Sequence, residues 1–457
     1  MLNAHGWKRL ISIALCLAIA FSLAACGGSN SEGSGEAPNA DKLKDQKELN
    51  ILFPASSFTE SIQPLVKEFE EKEGVKVNLE LIGIQNYFDK VMVELSTGSD
   101  AYDLFYVFGE KISQYVDGGW LNPLDELIAD KSLTDDQVLD KDDFMERAVT
   151  SGTFDGSLYG IPVLASTTLL YYRKDLFEQA GLNSPPNTWD ELAEYAKKLH
   201  KDGIAGVAMR GSRAQTESTW TFSMPMYAFG GGYVKDFPED MTPIVDSPEV
   251  AQAADYYADL LRNYSIKGAT TSKYSDIIVS VQQGDVAMWI DGAPLVKQYD
   301  DPEKSKSSGK IGFAIVPEGP SGRFAALNTH FLSMNRKSEN KELAWKFMQW
   351  ATSKEMFVKL AVDGWHVAGT RESVYSDPRF LEKNNYGDGE WAAKYVETLD
   401  KYAKDPYYPL NPEWPEVSDK VSEALSSVLS GQQSSAEAFK KANDEIAKIY
   451  KNAGYLQ

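Results

Sequence analysis

The stretch KELNILFPASSFTESIQPLVKEFEEKEGVKVNLELIG, residues 47–83, changes its hydrophobic period twice. ELNILF is a short apolar run typical of a buried strand, and VKVNLELI alternates as a second strand. Between them, Ile62, Leu65, Val66 and Phe69 fall on one face of a helix. The order strand, helix, strand predicts a β-α-β unit and therefore an α/β fold.

Two loops in this part of the chain follow predicted strands. PASSF, residues 54–58, comes at the end of the first strand. A second buried strand in YDLFYVFGE, residues 102–110, ends at Phe108, with Gly109 and Glu110 beyond its carboxyl end. Ligands of open α/β sheets lie beyond the carboxyl ends of the strands. We therefore expect ligand contacts at this edge from Ser56, Ser57, Phe108 and Glu110.

The N-terminus has the pattern of a secretory signal peptide. Lys8 and Arg9 precede the apolar run LISIALCLAIAFSLAA, which is too short for a stable membrane span. LAAC, residues 23–26, resembles the bacterial lipobox, so residues 1–25 are expected to be removed and Cys26 to be acylated. Residues 26–46 are rich in Gly, Ser and charge, which predicts a flexible, lipidated tether.

The composition and length of the chain limit its expected binding partners, its disulfides and its number of domains. The formal net charge of −21 argues against nucleic acid and against adhesion to anionic lipid. Cys16 lies in the predicted signal peptide, so no disulfide is expected in the mature chain. The 457 residues exceed the roughly 250 to 300 at which single cores stop growing, which predicts two domains.

Chemical motifs of several enzyme classes are missing from the sequence. The chain has no H-E-x-x-H, no phosphate-binding G-x-x-x-x-G-K-[ST], and no strand followed by G-x-G-x-x-G. We therefore expect no metal site and no cofactor. A secreted glycoside hydrolase stays open as an alternative, because carboxylates are abundant and their separation cannot be taken from sequence.

Seven segments, in order, resemble the family of bacterial extracellular solute-binding proteins that deliver carbohydrates to ABC importers, the group that includes maltose-binding protein. They are FEEKEGVKV (69–77), YDLFYV (102–107), DGSLYGIPVLASTTLLYYRKDLFEQAGL (155–182), PPNTWDEL (185–192), GDVAMWIDGAP (284–294), SENKELAWKFMQWATSKE (338–355) and GTRESVYSDPRF (369–380). The last segment is similar to the branch that includes sugar-alcohol binders, so polyols stay open beside mono- and oligosaccharides.

The resemblance implies two lobes that a hinge joins, with the ligand in the cleft between them. Turn or breaker residues mark three expected crossings, near Ile161-Pro162-Val163, near residues 317–320 and near Arg371. Lobe one would comprise residues 47–162 and 318–371, and lobe two residues 163–317 and 372–457.

The resemblance also implies ligand contacts on the expected second lobe. A sugar offers C–H faces to aromatic rings and hydroxyls to polar groups. Trp220 and Trp414 match positions of stacking aromatics, Asp291 matches a polar contact, and Glu110 matches an acidic sugar contact on lobe one. Trp365 is expected to face the cleft, because it lies just before the third crossing.

Other conspicuous residues are expected to be structural. Trp345 and Trp350 have helical spacing and Trp189 lies at a helix start, so all three are predicted to pack in the core. Asn328 and His330 lie on a predicted strand, where a structural role is favoured.

A ligand with negative charge is a further alternative within the same fold. A phosphorylated polyol, an acidic sugar or a peptide would need cations in the cleft, and Lys111, Arg210, Arg213 and Arg371 are the candidates. The main interpretation is a monomeric, lipid-anchored receptor without enzymatic activity that passes a carbohydrate to separate ABC permease subunits. We expect it outside the cytoplasm, on the outer face of a Gram-positive membrane rather than in a Gram-negative periplasm.

Replacing Cys26 with Ser should release the protein from the membrane while leaving its fold intact. Stable attachment needs more than one acyl chain, and the predicted anchor is the only residue positioned to carry them. Fractionation of cells that express the wild type and C26S measures the effect. Equal membrane retention of both proteins would show that the protein is not anchored as a lipoprotein.

Overall fold

The computed structural model describes residues 47–214, 217–404 and 406–457, with no side-chain placement for Gln85. The predicted signal peptide, Cys26 and the tether lie outside these residues. The predicted β-α-β unit is confirmed: β1 (Glu48–Pro54) and β2 (Lys76–Ile82) pair in parallel along their whole length.

The helix between these strands is interrupted, which the sequence pattern did not predict. It consists of α1 (Ser57–Ile62), a 3₁₀ turn and α2 (Val66–Glu73). Pro64 lies in the turn, and proline has no backbone N–H with which to continue a helix. Gly74, with φ of 67°, ends α2 in the left-handed conformation.

Eight strands form one mixed sheet in the part of the chain that the structure describes. Besides β1 and β2, its strands are β3 (Leu104–Val107), β6 (Ile161–Arg173), β9 (Met288–Gly292), β10 (Ile311–Ala314), β13 (Ala325–Met334) and β14 (Ala403–Lys404). The order of the strands is β10-β6-β13-β3-β1-β2, with β9 also paired to β6 and β14 also paired to β13. Three two-stranded hairpins lie outside it: β4 (Thr153–Phe154) with β5 (Ser157–Leu158), β7 (Val234–Asp236) with β8 (Asp240–Pro243), and β11 (Glu318–Gly319) with β12 (Gly322–Arg323).

Helices connect and cover these strands. After α1 and α2 they are α3 (Ile84–Ser96), α4 (Gly109–Asp117), α5 (Asp125–Ala129), α6 (Asp136–Leu139), α7 (Glu146–Thr150), α8 (Lys174–Gln179), α9 (Trp189–Leu199), α10 (Glu217–Ala228), α11 (Pro248–Asn263), α12 (Tyr274–Gln283), α13 (Val296–Tyr299), α14 (Lys341–Ala351), α15 (Lys354–Val362), α16 (Pro378–Lys383), α17 (Glu390–Lys401), α18 (Trp414–Leu429) and α19 (Ser435–Asn452). None of the described helices is both long and apolar enough to cross a bilayer.

The two longest strands, β6 and β13, run antiparallel beside each other in the middle of the sheet. Their register shifts between His330 and Phe331, where Leu164 and Pro162 are the respective partners. One extra residue, Val163, is therefore inserted in β6 at a bulge, which is where a strand tolerates a proline. The strand continues through this bulge without a turn.

Successive side chains of β6 enter two different hydrophobic clusters, as the strand period of two requires. Leu169 and Tyr171 belong to a cluster that extends from β1 and β3 to α17, whereas Leu170 belongs to a cluster with α9, α10, α11, α18 and α19. Trp345 and Trp189 are fully buried, one in each cluster, which confirms that they are core residues.

Helix α17 packs against β6 and β10 and forms hydrogen bonds to several segments of the chain. The Tyr395 hydroxyl donates to the carbonyl oxygen of Ala165 in β6 at 2.7 Å, and the Trp391 indole donates to Ala293 at 3.2 Å. Arg147 of α7 donates to the carbonyl of Asp400 at 3.2 Å. The helix therefore bonds to three separate parts of the chain.

Arg371 is a fully buried cation at the centre of a loop junction, not a cleft residue. It donates to the carbonyl oxygens of Thr352 at 2.6 Å and Leu139 at 2.6 Å, pairs with Asp143 at 3.3 Å, and stacks 3.9 Å from the Phe144 ring centre. Desolvation by burial lowers its pKa, but these contacts compensate its charge. It joins three segments that are far apart in sequence.

Replacing Arg371 with Met should lower the free energy of unfolding by about 3 kcal/mol, because buried carbonyls and Asp143 lose their partner. Arg379→Met is the matched control, since Arg379 forms ion pairs with Glu355 and Asp377 but is half exposed. Urea unfolding should show little change for that control. An R371M protein as stable as the wild type would show that the junction does not depend on this cation.

Two histidines with lowered pKa values, the buried His366 and the half-buried His330, should make the fold less stable in mild acid. Burial, with the neighbouring His366, lowers the pKa of His330 to about 3, and burial lowers the pKa of His366 to about 4. The unfolded chain binds protons near pH 6.5, so the free energy of unfolding should decrease as pH falls from 6.5 toward 4.

Urea unfolding between pH 7 and pH 5 measures this slope. His330→Gln and His366→Gln should each reduce the slope, whereas His200→Gln, at an exposed position, should leave it unchanged. The same slope in all four proteins would mean that these histidines do not control the acid response.

Candidate ligand-binding site

A cavity of about 780 Å³ lies at the carboxyl ends of β1 and β3, where α1 and α4 begin. Its opposite side is formed by the starts of α10 and α12 and by the segment from Gly292 to Lys304. Small-molecule sites usually measure roughly 300–1,000 Å³, so the volume suits a ligand of that class.

The floor of the cavity consists of alternate residues from β6 and β13. Asn328 pairs with Ser166 and His330 pairs with Leu164, and all four side chains line the cavity. The intervening residues point away, and Ala165 accepts the hydrogen bond from α17. Asn328 and His330 therefore both line the cavity, where the sequence pattern favoured a structural role for them.

An aromatic group forms the wall next to this floor. The Phe108 ring centre lies 4.7 Å from Phe88, 4.6 Å from His330 and 5.3 Å from Tyr106. The Tyr106 hydroxyl and His330 Nδ1 are hydrogen-bonded at 2.8 Å. With its pKa lowered to about 3 by burial, His330 stays neutral at physiological pH. The wall is thus apolar in character but carries an uncharged polar pair.

Glu110 is held at the start of α4 by a contact with the floor. Asn328 Nδ2 donates to Glu110 Oε2 at 2.6 Å, and both residues are buried. A Cβ atom at the preceding Gly109 would lie 2.2 Å from Asn328 Oδ1 and 2.4 Å from the Thr329 carbonyl oxygen, so only glycine permits this approach. The arrangement fixes a carboxylate at the cavity wall.

Ser57 and His366 form a second polar pair near the same edge. His366 Nε2 is 2.8 Å from the carbonyl oxygen of Val163 and must donate to it, so in the neutral ring Nδ1 accepts from the Ser57 hydroxyl at 3.0 Å. Ser56 caps α1, and Trp365 donates its backbone N–H to Ser61 at 3.0 Å. Ser56, Ser57 and Trp365 all line the cavity.

Trp220 of α10 supplies the main aromatic surface of the opposite wall. It is only 6% exposed, and its ring lies edge to face with Tyr407 at 5.1 Å. The indole nitrogen is buried, and no described residue accepts a hydrogen bond from it. Tyr274 at the start of α12 lines the same side.

Arg210 lies on this wall between two carboxylates. Its Nε donates to Asp291 Oδ1 at 3.0 Å, its Nη2 also binds Asp291, and its Nη1 donates to Glu217 Oε2 at 3.1 Å. The guanidinium is 5.4 Å from the centre of the Tyr274 ring. Burial raises the pKa of Glu217, and the charge of Arg210 opposes that rise.

Four helices that begin around the cavity carry a carboxylate in their first turn: Glu60 in α1, Glu110 in α4, Glu217 in α10 and Asp276 in α12. The exposed N–H groups at the start of a helix stabilise negative charge. The polar part of the wall therefore follows from where the strands end and the helices begin.

The structure brings six of the eight predicted ligand-binding residues to the cavity: Ser56, Ser57, Phe108, Glu110, Trp220 and Trp365. Asp291 does not line it, because it is fully buried behind Arg210. Trp414 is also fully buried and stacks on Tyr408 at 4.7 Å, behind Tyr407. Their predicted direct contacts with a ligand have no place in this arrangement.

Several lining residues were not among the predicted contacts, including Glu60, Phe88, Tyr106, Glu217 and Tyr274. Phe88 and Tyr274 belong to amphipathic helices, and helical spacing does not distinguish a cavity residue from a core residue. The useful signal was in ALNTHFLSM, where Asn328, Thr329 and His330 interrupt an otherwise largely apolar strand.

Of the four candidate cations, only Arg210 lines the cavity. Lys111 lies 5.9 Å from the Phe88 ring centre, and burial lowers its pKa. Arg213 pairs with Asp419 at 3.1 Å and lines a smaller cavity, of about 300 Å³, next to α18 and α19. Within the described ranges there is no group of His, Cys, Asp and Glu side chains arranged for a metal ion.

Comparisons with known proteins agree with this architecture. The family model of the bacterial extracellular solute-binding proteins matches residues 55–356. A mannitol-binding protein of Pseudomonas aeruginosa is 28% identical over 417 residues, which cover 86% of this chain and 91% of that protein.

Two solved structures of solute-binding proteins also resemble this chain. One, from Agrobacterium radiobacter in complex with ribitol, has a TM-score of 0.79 at 25% identity and covers 89% of this chain and 99% of its own. Another, from Agrobacterium vitis with bound D-mannitol, has a TM-score of 0.77 at 27% identity and covers 90% of this chain and all of its own, 100%. The predicted two-lobed α/β fold is confirmed, and the chain belongs to the family of bacterial extracellular solute-binding proteins.

Proposed function

We propose that this protein is the substrate-binding protein of an ABC importer and that its cavity takes a sugar or an acyclic sugar alcohol. The observation that carries the proposal is the alternation of aromatic faces with hydrogen-bonding groups on both walls. Trp220 and Tyr407 face one side, Phe108 the other, and Glu110 and Arg210 lie among them.

This alternation matches the chemistry of a polyhydroxylated ligand. Its C–H groups pack on aromatic rings, whereas each hydroxyl both donates and accepts a hydrogen bond. Carboxylate oxygens accept, guanidinium N–H groups donate, and the Asn328 amide can do both. The groups on the wall thus complement hydroxyls along the whole length of such a ligand.

The named relatives support a sugar alcohol in particular. The protein from P. aeruginosa is described as mannitol-binding, and the two structures hold ribitol and D-mannitol. These are binding proteins by name, which favours ligand capture over the alternative of glycoside hydrolysis. In our proposal Glu110 and Glu217 are therefore ligand-binding carboxylates rather than an acid and base pair.

We further propose that β6 and β13 serve as two of the hinge strands. Both pass beneath the cavity, and its lining comes from parts of the chain before and after them. The boundaries expected from sequence, 47–162 with 318–371 and 163–317 with 372–457, divide the wall residues between two lobes. Closure around a ligand would present the occupied form to the permease.

The place of the protein in the cell is part of the same proposal. It would be a monomer that an acylated Cys26 anchors to the outer face of a Gram-positive membrane, with residues 27–46 as the tether. Separate permease subunits would receive the ligand. Membership of an extracellular family supports an outward-facing location.

Trp220→Ala and Glu110→Gln should each weaken binding of the best polyol or sugar by about ten- to a hundredfold. The first removes a packing surface, and the second removes a charge-assisted hydrogen bond of about 1.5 to 3 kcal/mol. Isothermal titration calorimetry measures both effects, with the ligand chosen by a thermal-shift screen of hexitols, pentitols and sugars.

Trp414→Ala is the matched control, because it removes a buried indole from the same aromatic group without touching the cavity. It should cost about 3 to 5 kcal/mol of stability and leave the affinity of the folded fraction unchanged. If W220A and E110Q lost stability but kept wild-type affinity, the cavity would not be the binding site.

A further inference from the structure

Cations on the cavity wall already have partners. The lining cations of the described chain are Arg210, Lys297 and Lys304. Lys304 pairs with Asp301 at 3.3 Å, and Lys297 donates to the carbonyl oxygen of Gly364. Arg210 has two carboxylate partners, Asp291 and Glu217.

Two carboxylates around one guanidinium leave the group with a net negative charge. Asp291 is fully buried, and the side chains of Arg210 and Glu217 are 15% and 12% exposed, so solvent screens the three charges only weakly. Glu60, Glu110 and Asp301 add further carboxylates to the wall. An anion that entered the cavity would therefore meet more negative than positive charge.

The N-termini of the helices around the cavity do not offset this excess of negative charge. A helix N-terminus normally attracts anions, but α1, α4, α10 and α12 already carry acidic residues in their first turns. Their partial positive charges are thus matched by groups of the protein itself.

We propose that Glu217 and Asp291 neutralise Arg210 so that the site selects uncharged polyols and rejects anionic analogues with the same hydroxyl pattern. This inference rests on the proposed function and specifies its ligand class. It argues against the phosphorylated polyol and the acidic sugar as substrates.

The ion pairs leave Arg210 useful for binding. Three of its five N–H groups are directed to Asp291 and Glu217, and the other two have no acceptor in the described part of the chain, so in our proposal they donate to hydroxyl oxygens. A carboxylate or phosphate would lose its hydration on entry, and Arg210 would meet it already paired with two carboxylates. Arg210 thus acts as a hydrogen-bond donor of fixed orientation instead of a charge receptor.

The test compares each hexitol with the aldonate of the same stereochemistry, which differs by a carboxylate at one end. The pairs are D-mannitol with D-mannonate, D-glucitol with D-gluconate, and galactitol with galactonate. Calorimetry at pH 7.5 with the full chain measures the ratio of the two affinities in each pair. The wild type should favour the best hexitol by at least about fiftyfold.

Glu217→Gln keeps the size of the side chain and removes one negative charge beside Arg210. It should reduce the hexitol-to-aldonate ratio by about tenfold, chiefly by improving aldonate binding. Glu423→Gln is the matched control, since it removes a carboxylate that pairs with the half-exposed Arg213 away from the cavity. Its ratio should equal that of the wild type.

The possible results distinguish a failure of the charge selection from a failure of the proposed sugar or polyol binding. A wild-type ratio near one, or an E217Q ratio equal to that of E423Q, would overturn the charge selection while leaving polyol binding intact. The wild-type ratio requires no variant, so it decides the matter even if E217Q does not fold. If no hexitol, aldonate, pentitol or neutral sugar binds the wild type, the proposed function itself fails.

Discussion

The pairing of β6 with β13 is the contact on which the rest of the structure depends. One face of the pair forms the cavity floor with Asn328 and His330, and the other receives the hydrogen bond from Tyr395 of α17. Because side chains alternate along a strand, a register slip of one residue would exchange these faces. The bulge at Val163 and the bonds of α17 oppose such a slip.

Polar groups reach the cavity because strands end and helices begin there. Glu110 and Glu217 occupy first turns, where a carboxylate is stabilised by free backbone N–H groups. The cluster of Arg210, Glu217 and Asp291 costs desolvation energy, and a buried ion pair is weak evidence for stability. Its value lies in fixing the direction of hydrogen-bond donors, which a site for a neutral ligand requires.

Short-range patterns in the sequence were sufficient to predict the first strands and some of the cavity residues. The change of period over residues 47–83 predicts β1 and β2, and strand ends identify Phe108 and Glu110, because both depend on short-range patterns. Arg210 and Asp291 are 81 residues apart, so their pairing depends on the bridge that places Ala208 beside Trp289 of β9 and is not visible in either segment. The position of Trp414 depends on packing in a similar way: Tyr407 lines the cavity, and Trp414 packs behind it.

In the proposed mode of binding, a polyhydroxylated ligand lies between two parts of the molecule that β6 and β13 connect. Small-angle X-ray scattering of the purified protein, with and without a saturating polyol or sugar, tests this claim most directly. The radius of gyration should be smaller with the ligand, because closure brings the wall of Trp220 toward that of Phe108. A ligand that raises the melting temperature through binding but leaves the scattering profile unchanged would contradict it.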